Sequence, residues 1–123
     1  MPNPAWWITR DGDREAVALF ERHYSARSLE GRTQFVGPGE HIVLRTWDCD
    51  ALFVWRAFLE NLGNERIECS VFRNEGPHLS SDLIRQADAI ADAVWPGRRR
   101  HTFVDAARVR STVPGWCFRR AGW

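Results

Sequence analysis

The stretch of the chain that most restricts its fold runs from Ile67 to Val94. It opens with a short β-prone run that contains Ile67, Cys69 and Val71. Residues Arg73 to Pro77 follow, and regular secondary structure tolerates them poorly. Apolar residues then recur at helical spacing and make one face: Leu83, Ile84, Ala87, Ile90, Ala91 and Val94. The sequence therefore predicts a strand, a tight loop and a helix that stops before Pro96.

The loop of this unit is a candidate anion site. A glycine loop that enters a helix N-terminus points free backbone N–H groups and the positive end of the helix dipole in one direction. Ser80 or Ser81 is predicted to N-cap the helix, with Asp82 in its first turn, and either serine can also hydrogen-bond a phosphate. A loop with one glycine is a weak signal, and an ordinary turn at Gly76 is the alternative.

The composition predicts one globular domain over residues 1–123. The chain is 44% hydrophobic and 27% charged, which is ordinary for a protein with a single core. It has no run of eighteen apolar residues and no secretory signal at its N-terminus, so a cytoplasmic location is expected. The three cysteines are widely spaced and match neither a metal motif nor a disulfide framework, which indicates free thiols.

The basic residues are unevenly distributed. All 17 are arginines, and the chain from Pro96 onward holds seven of them against one acid, Asp105. Such a basic segment is compatible with a phosphate-rich partner, although a solvated surface is an equal alternative. The predicted contacts to a nucleic-acid backbone are Arg98, Arg99, Arg100, Arg108 and Arg110.

The remaining segments predict an α+β order. A helix from Arg14 to Tyr24, capped by Asp11 or Asp13, precedes a long glycine-rich loop that is expected to be functional or mobile. Strands are predicted at Ile42 to Thr46, at Ala51 to Phe58, in the stretch from Ile67 and at His101 to Asp105, before a short helix that begins at Pro114. Helices on a mainly antiparallel sheet are the expected architecture.

This order and the loop together resemble the Gcn5-related N-acetyltransferase (GNAT) fold. That family carries an R/Q-x-x-G-x-G/A loop between its fourth strand and the next helix, which cradles the pyrophosphate of acetyl-coenzyme A. Here the loop is RNEGPH, in which the first arginine and the glycine match and His78 replaces the last small residue. The resemblance implies acetyl-coenzyme A or another acyl donor, bound by Arg73, Asn74, Glu75, Gly76, His78, Ser80 and Ser81.

A narrower resemblance covers most of the chain. The stretches RHYS, QFVGPGE, CSVFRNEG, LSSDLI, TFVD and PGWCFRRAGW are similar to a family of small phage and actinobacterial proteins. These in turn resemble the phage Mom-type DNA modification proteins, which are acetyltransferase-like and alter adenine in DNA. The resemblance implies transfer of a group to a DNA base in a bacterial host, with catalytic His23, Tyr24, Ser25 and Asp105. Such relatives continue past the Gly-aromatic pair, so the sheet is expected to lack its last strand or strands.

Two other functions stay open. One is an acetyl-coenzyme A-dependent N-acetyltransferase that acts on a small molecule or a protein. The other is a non-catalytic domain of the same fold, which is favoured by Phe118 at the position where the family often has a proton-donating tyrosine. Each candidate residue also has a structural alternative: His23 can simply close a helix, Asp105 can cap one, and Arg73 can form a surface ion pair with Glu75.

Overall fold

The computed structural model describes residues 5–23, 26, 28–60, 64–102 and 115–123. They form five strands and three helices; the first strand was not predicted, and the other elements follow in the predicted order. The elements are β1 (Trp6–Thr9), α1 (Arg14–Glu21), β2 (His41–Thr46), β3 (Ala51–Glu60), β4 (Asn64–Asn74), α2 (Ser80–Val94), β5 (Arg99–Thr102) and α3 (Trp116–Arg120). The predicted α+β class is confirmed.

The strands form one mixed sheet in the order β1-β2-β3-β4-β5. Neighbours are antiparallel except for β4 and β5, which run parallel with Glu68 opposite His101. The parallel pair follows from the connection, because α2 carries the chain across one face of the sheet before β5 begins. A mainly antiparallel sheet with flanking helices is therefore confirmed.

Each face of the sheet has its own core. The α2 face, which packs on α2 and α3, is built around large side chains such as Phe53, Trp55 and Phe118. The α1 face packs on α1 and on the loop before β2, through Leu19, Phe20 and other residues. The fold therefore has three layers, with the sheet in the middle.

Buried tryptophans hold α2 against the sheet. The indole N–H of Trp6 donates to the carbonyl of Leu83 at 2.7 Å, and that of Trp55 donates to the carbonyl of Ala87 at 3.0 Å. Both tryptophans are at most 5% exposed, so each indole gains a partner in a place that water does not reach. Leu83 and Ala87 are four residues apart and lie on one face of α2, which fixes both the rotation and the axial position of the helix.

The long loop before β2 packs over the α1 face. Leu29 and Phe35 are buried, and the ring of Phe35 stacks on Phe20 with centroids 4.9 Å apart. The carboxylate of Asp11 accepts hydrogen bonds from the backbone N–H groups of Phe35 at 2.7 Å and Val36 at 3.1 Å. The loop thus forms one wall of the domain.

The ends of the helices differ from the sequence prediction in two places. Asp13 caps α1 as predicted, accepting from the N–H of Ala16 at 3.0 Å. The helix ends at Glu21, however, three residues before Tyr24. The prediction that Ser80 or Ser81 caps α2 is wrong, because the N-cap is Leu79 and it gives no side-chain hydrogen bond.

Several strand boundaries were also predicted imperfectly. β3 continues to Glu60 and β4 begins at Asn64, so this hairpin is longer than predicted. β5 begins at Arg99 rather than His101, because its first residues pair with β4 from Arg66 onward. The predicted end of that strand and Pro114 lie outside the described residues.

The three cysteines are free, and only Cys69 is buried. Full burial raises the pKa of the Cys69 thiol and partial burial raises that of Cys117, which keeps both in the less reactive thiol form. Among the helices of the described segments, none combines the length and apolar character needed to cross a membrane.

The basic residues that begin β5 are not equivalent. Arg100 reaches α2, where its guanidinium contacts the carboxylates of Asp88 at 2.9 Å and Asp92 at 2.8 Å. The buried Asp88 also accepts the indole N–H of Trp123 at 3.0 Å. Arg99 is exposed and, within the described parts of the chain, makes no ion pair.

We expect Arg100→Ala to lower the free energy of unfolding by about 1–3 kcal/mol, because it leaves the buried Asp88 without its cation. Arg99→Ala is the matched control and should change stability by less than about 0.5 kcal/mol. Urea denaturation of the three proteins measures both values. Equal stability of the two variants would show that the Arg100 ion pairs contribute nothing to folding.

Candidate active site at the junction of α1 and β4

The end of α1 and the end of β4 meet in a cluster of charged side chains. The guanidinium of Arg22 makes two hydrogen bonds to the carboxylate of Glu75, at 2.7 and 2.9 Å. The Nε of Arg73 also donates to Glu75, and its Nη1 donates to the backbone carbonyl of Arg22 at 2.7 Å. We call Arg22, His23, Arg73 and Glu75 the α1–β4 junction. It brings together the first two residues of RHYS and two residues of RNEG, and Arg22 and Arg73 are 51 residues apart in the sequence.

Arg73 satisfies a backbone carbonyl at the end of α1. The last turn of the helix tightens, with the N–H of Arg22 bonded to the carbonyl of Leu19 at 3.2 Å and that of His23 to the carbonyl of Phe20 at 2.9 Å. The carbonyl of Arg22 then lacks a partner within the helix, and Arg73 supplies one. A cation at this helix end is also favoured by the helix dipole.

The junction strongly favours the charged form of its carboxylate. The hydrogen bonds from Arg22 and then from Arg73 lower the pKa of Glu75 to about 2. The same contact raises the pKa of Arg22. The predicted alternative for Arg73, an ion pair with Glu75, is therefore present in the structure.

His23 lies half-buried beside Arg73. Burial, followed by the positive charge of Arg73, lowers the pKa of His23, and a hydrogen bond with the backbone of Phe72 opposes the shift in part. A lowered pKa keeps the imidazole neutral at neutral pH, which is the form that accepts a proton. The structure thus places His23 and Arg73 together, as predicted. The other predicted catalytic residues, Tyr24, Ser25 and Asp105, lie outside the described residues.

The loop between β4 and α2 is braced by Asn74. The side-chain amide of Asn74 donates to the carbonyl of His78 at 2.7 Å and to the hydroxyl of Ser80 at 2.9 Å, while its oxygen accepts from the N–H of Gly76 at 3.1 Å. Asn74 and Ser80 therefore shape the loop, whereas His78 is exposed at its surface.

Gly76 is required by a close approach that the sequence did not reveal. A Cβ atom at this position would lie 2.1 Å from an Oδ of Asp50. Asp50 is held in place by the hydroxyl of Thr46, which donates to its carboxylate at 2.6 Å. Asp50 is thus a neighbour of the candidate site that sequence analysis missed, since only its place in a turn was visible.

The first two residues of α2 differ in their access to solvent, since Ser80 is half-buried and Ser81 is only 3% exposed. The N-cap of α2 gives no side-chain hydrogen bond, and the N–H of Asp82 bonds to the carbonyl of Leu79 at 3.0 Å. The N–H groups of Ser80 and Ser81 have no acceptor in the part of the chain that the structure describes. Unpaired N–H groups at the positive end of a 15-residue helix are the physical basis of anion binding at helix termini.

The predicted nucleic-acid contacts are only partly available. Arg100 is held by two acids of α2, and the guanidinium of Arg98 lies 6.0 Å from the ring centroid of Trp95. Arg99 is exposed, whereas Arg108 and Arg110 lie outside the described residues. Of the five predicted arginines, Arg99 is thus the one whose side chain the structure shows directed to solvent.

Metal ligation has no support in the described segments, where no group of three or more His, Cys, Asp or Glu side chains could hold an ion. Comparison with known proteins adds no further assignment. No family model matches the chain, and neither a curated protein nor a solved structure matches it. The site is therefore interpreted from its own geometry.

The junction should be acid-sensitive. The pKa of Glu75 is lower in the folded protein than the value of about 4.3 expected in the unfolded chain, so its stabilisation is complete above pH 4.5 and is lost as the pH falls towards about 2. We expect the wild type to lose more stability over this range than Glu75→Gln, which cannot titrate. Urea denaturation at several pH values measures the difference, and parallel curves would contradict it.

Gly76 and Asp50 should be energetically coupled. Gly76→Ala brings a methyl group against the Asp50 carboxylate, which we expect to cost about 1–3 kcal/mol. In the background of Asp50→Ala the same change should cost much less, because the clash is gone. A double-mutant cycle by urea denaturation measures the coupling, and strictly additive effects would show that the loop moves aside freely.

Proposed function

We propose that the protein is a group-transferring enzyme of GNAT-like fold that modifies a base in DNA, similar to the phage Mom-type proteins. The observation that carries the proposal is the α1–β4 junction, where a half-buried His23 lies beside Arg73. Arg73 stands near the end of β4, just before the loop that leads into the N-terminus of α2. A five-stranded mixed sheet with three helices is compatible with that fold.

The donor is an acyl thioester such as acetyl-coenzyme A, and the loop offers groups that suit its pyrophosphate. The N–H group of Ser80 and the dipole of α2 supply favourable interactions for phosphate oxygens. Arg73 contributes positive charge nearby, although Glu75 already binds its guanidinium. The helix terminus, rather than the arginine fork, is therefore the principal phosphate contact in this proposal.

In the proposed reaction His23 acts as the base. The acceptor amine attacks the thioester carbonyl carbon, a C–N bond forms, and the C–S bond breaks with its electron pair left on sulfur. His23 takes the proton that the amine loses, which its neutral state permits. Tyr24, Ser25 and Asp105 complete the acceptor side in this proposal, and the thiolate leaves to be protonated by solvent.

One observation favours a second candidate function. Arg100 is occupied by Asp88 and Asp92, so the basic segment offers less charge to DNA than its sequence indicates. An N-acetyltransferase that acts on a small acceptor would need no such surface. Salt-dependent DNA binding separates the two candidates, since only the first neutralises backbone phosphates.

Nucleoside mass spectrometry of DNA from cells that express the protein tests the proposal. The wild type should produce a modified nucleoside, and His23→Gln should reduce it by about 100-fold or more, the usual contribution of a general base. His41→Gln is the matched control, because His41 is exposed on β2 and its imidazole contacts the carbonyl of Gly39, away from the α1–β4 junction. Full modification by His23→Gln would remove the proposed base.

If the wild type leaves DNA unmodified but binds acetyl-coenzyme A, the second candidate replaces the first. Binding of neither DNA nor coenzyme A would show a non-catalytic domain. Thermal unfolding of His23→Gln and His41→Gln accompanies the assay, so that a loss of folding is not mistaken for a loss of the base.

A further inference from the structure

Two exposed tryptophans touch each other at the outer edge of the sheet. Trp7 lies on β1 and is 49% exposed, and Trp47 lies in the turn after β2 and is 66% exposed. Their ring centroids are 4.6 Å apart, with an angle of 36° between the ring planes. We call these two residues the indole pair. Because large aromatic rings gain free energy when they leave water, two adjacent rings that stay exposed are characteristic of an interaction surface.

The turn that carries Trp47 is held by hydrogen bonds around Thr46. The hydroxyl of Thr46 accepts from the backbone N–H groups of Asp50 and Ala51, each at 3.0 Å, and donates to the carboxylate of Asp50 at 2.6 Å. Cys49 has a φ of 59°, and its N–H bonds to the carbonyl of Thr46 at 3.0 Å. The turn is therefore fixed before any partner arrives, so binding does not have to order it.

The charges around the indole pair favour a cationic ligand. The faces of indole rings carry partial negative charge and attract cations. Asp48 follows Trp47 in the turn, is exposed and forms no ion pair with any residue that the structure describes. Arg45 lies opposite Trp7 in the strand register, but its guanidinium is directed to Asp13 at 3.1 Å. The nearest basic residue of the sheet is thus already bound elsewhere.

Two other tryptophans show the contact that the indole pair lacks. The guanidinium of Arg98 lies 6.0 Å from the ring centroid of Trp95, and that of Arg120 lies 5.8 Å from the ring centroid of Trp116. In the described parts of the chain, no cation lies over either ring of the indole pair. A guanidinium is planar and weakly hydrated, which suits it to stacking on an indole. The position over the indole pair is therefore open to an arginine of another molecule.

The free edge of β1 indicates that this molecule is a polypeptide. β1 is the first strand in the sheet order, and among the described residues no strand pairs with its outer edge. Its sequence, WWIT, contains neither a charge nor a proline, which are the usual means by which edge strands resist pairing. An extended segment that pairs with this edge places alternate side chains beside Trp7, at the Cβ spacing of about 5 Å found between neighbouring strands.

We propose that the edge of β1 and the indole pair bind an extended segment of a partner protein, with an arginine of that segment stacked on the two indoles and close to Asp48. Small quaternary ammonium ions are less suitable ligands, because they are recognised by aromatic cages, whereas both rings of the indole pair lie open at the sheet edge. The inference adds an interaction surface and does not rest on the proposed function.

The test uses a capped pentapeptide with one central arginine between valines and threonines, and a second peptide with citrulline, the uncharged isostere, in place of the arginine. Titration of the arginine peptide into the wild-type protein should give saturable changes in the indole N–H chemical shifts of Trp7 and Trp47. The citrulline peptide should bind about fivefold more weakly, because the cation is absent. Trp47→Ala should weaken binding of the arginine peptide about fivefold, and Trp47→Phe, which keeps an aromatic face, about twofold.

Trp116→Ala is the matched control, because Trp116 is 54% exposed and already has Arg120 over its ring. This variant should bind the arginine peptide as the wild type does. Absence of saturable shifts at the indole pair would overturn the inference, and so would equal affinity for the arginine and citrulline peptides. Unchanged binding in Trp47→Ala, or an equal loss in Trp116→Ala, would show that the peptide does not bind at the indole pair and would overturn it as well.

Discussion

The position of α2 depends on two indole hydrogen bonds. Trp6 and Trp55 fill the core on the α2 face and donate to carbonyls one turn apart in the helix. A buried indole without an acceptor would cost about 1–3 kcal/mol, so both tryptophans favour one placement of the helix. With α2 in that position, its C-terminal end leads into β5, which pairs in parallel with β4. The same position places Asp88 and Asp92 of α2 within reach of Arg100.

On the other face, Arg73 joins the end of α1 to the end of β4 through its side chain. One guanidinium satisfies the last carbonyl of α1 and also binds Glu75, which Arg22 holds from the opposite side. Two cations on one carboxylate leave the junction with a net positive charge, and that charge contributes to the lowered pKa of His23. The same arrangement therefore stabilises the end of α1 and contributes to the lowered pKa of the proposed base, His23.

The bulge at Ser70 decides which face of the sheet the end of β4 packs on. Without the extra residue, the alternation of β4 would turn Val71 and Arg73 towards α2, away from α1 and His23. Ser70 has no partner residue in the β3–β4 register, and as a result Val71 packs on the α1 face. Bulges are frequent beside active sites because they redirect side chains in this way.

The sequence by itself determined the kind, the order and much of the extent of the elements, because apolar periodicity and the Asp13 cap act within a few residues. It also placed His23 and Arg73 in one region through the resemblance. It did not reveal that Asp50 approaches Gly76, that Arg100 is paired with α2, or that Ser80 braces a loop instead of capping a helix. These contacts join residues distant in the chain, so the register of the strands and the docking of α2 decided them.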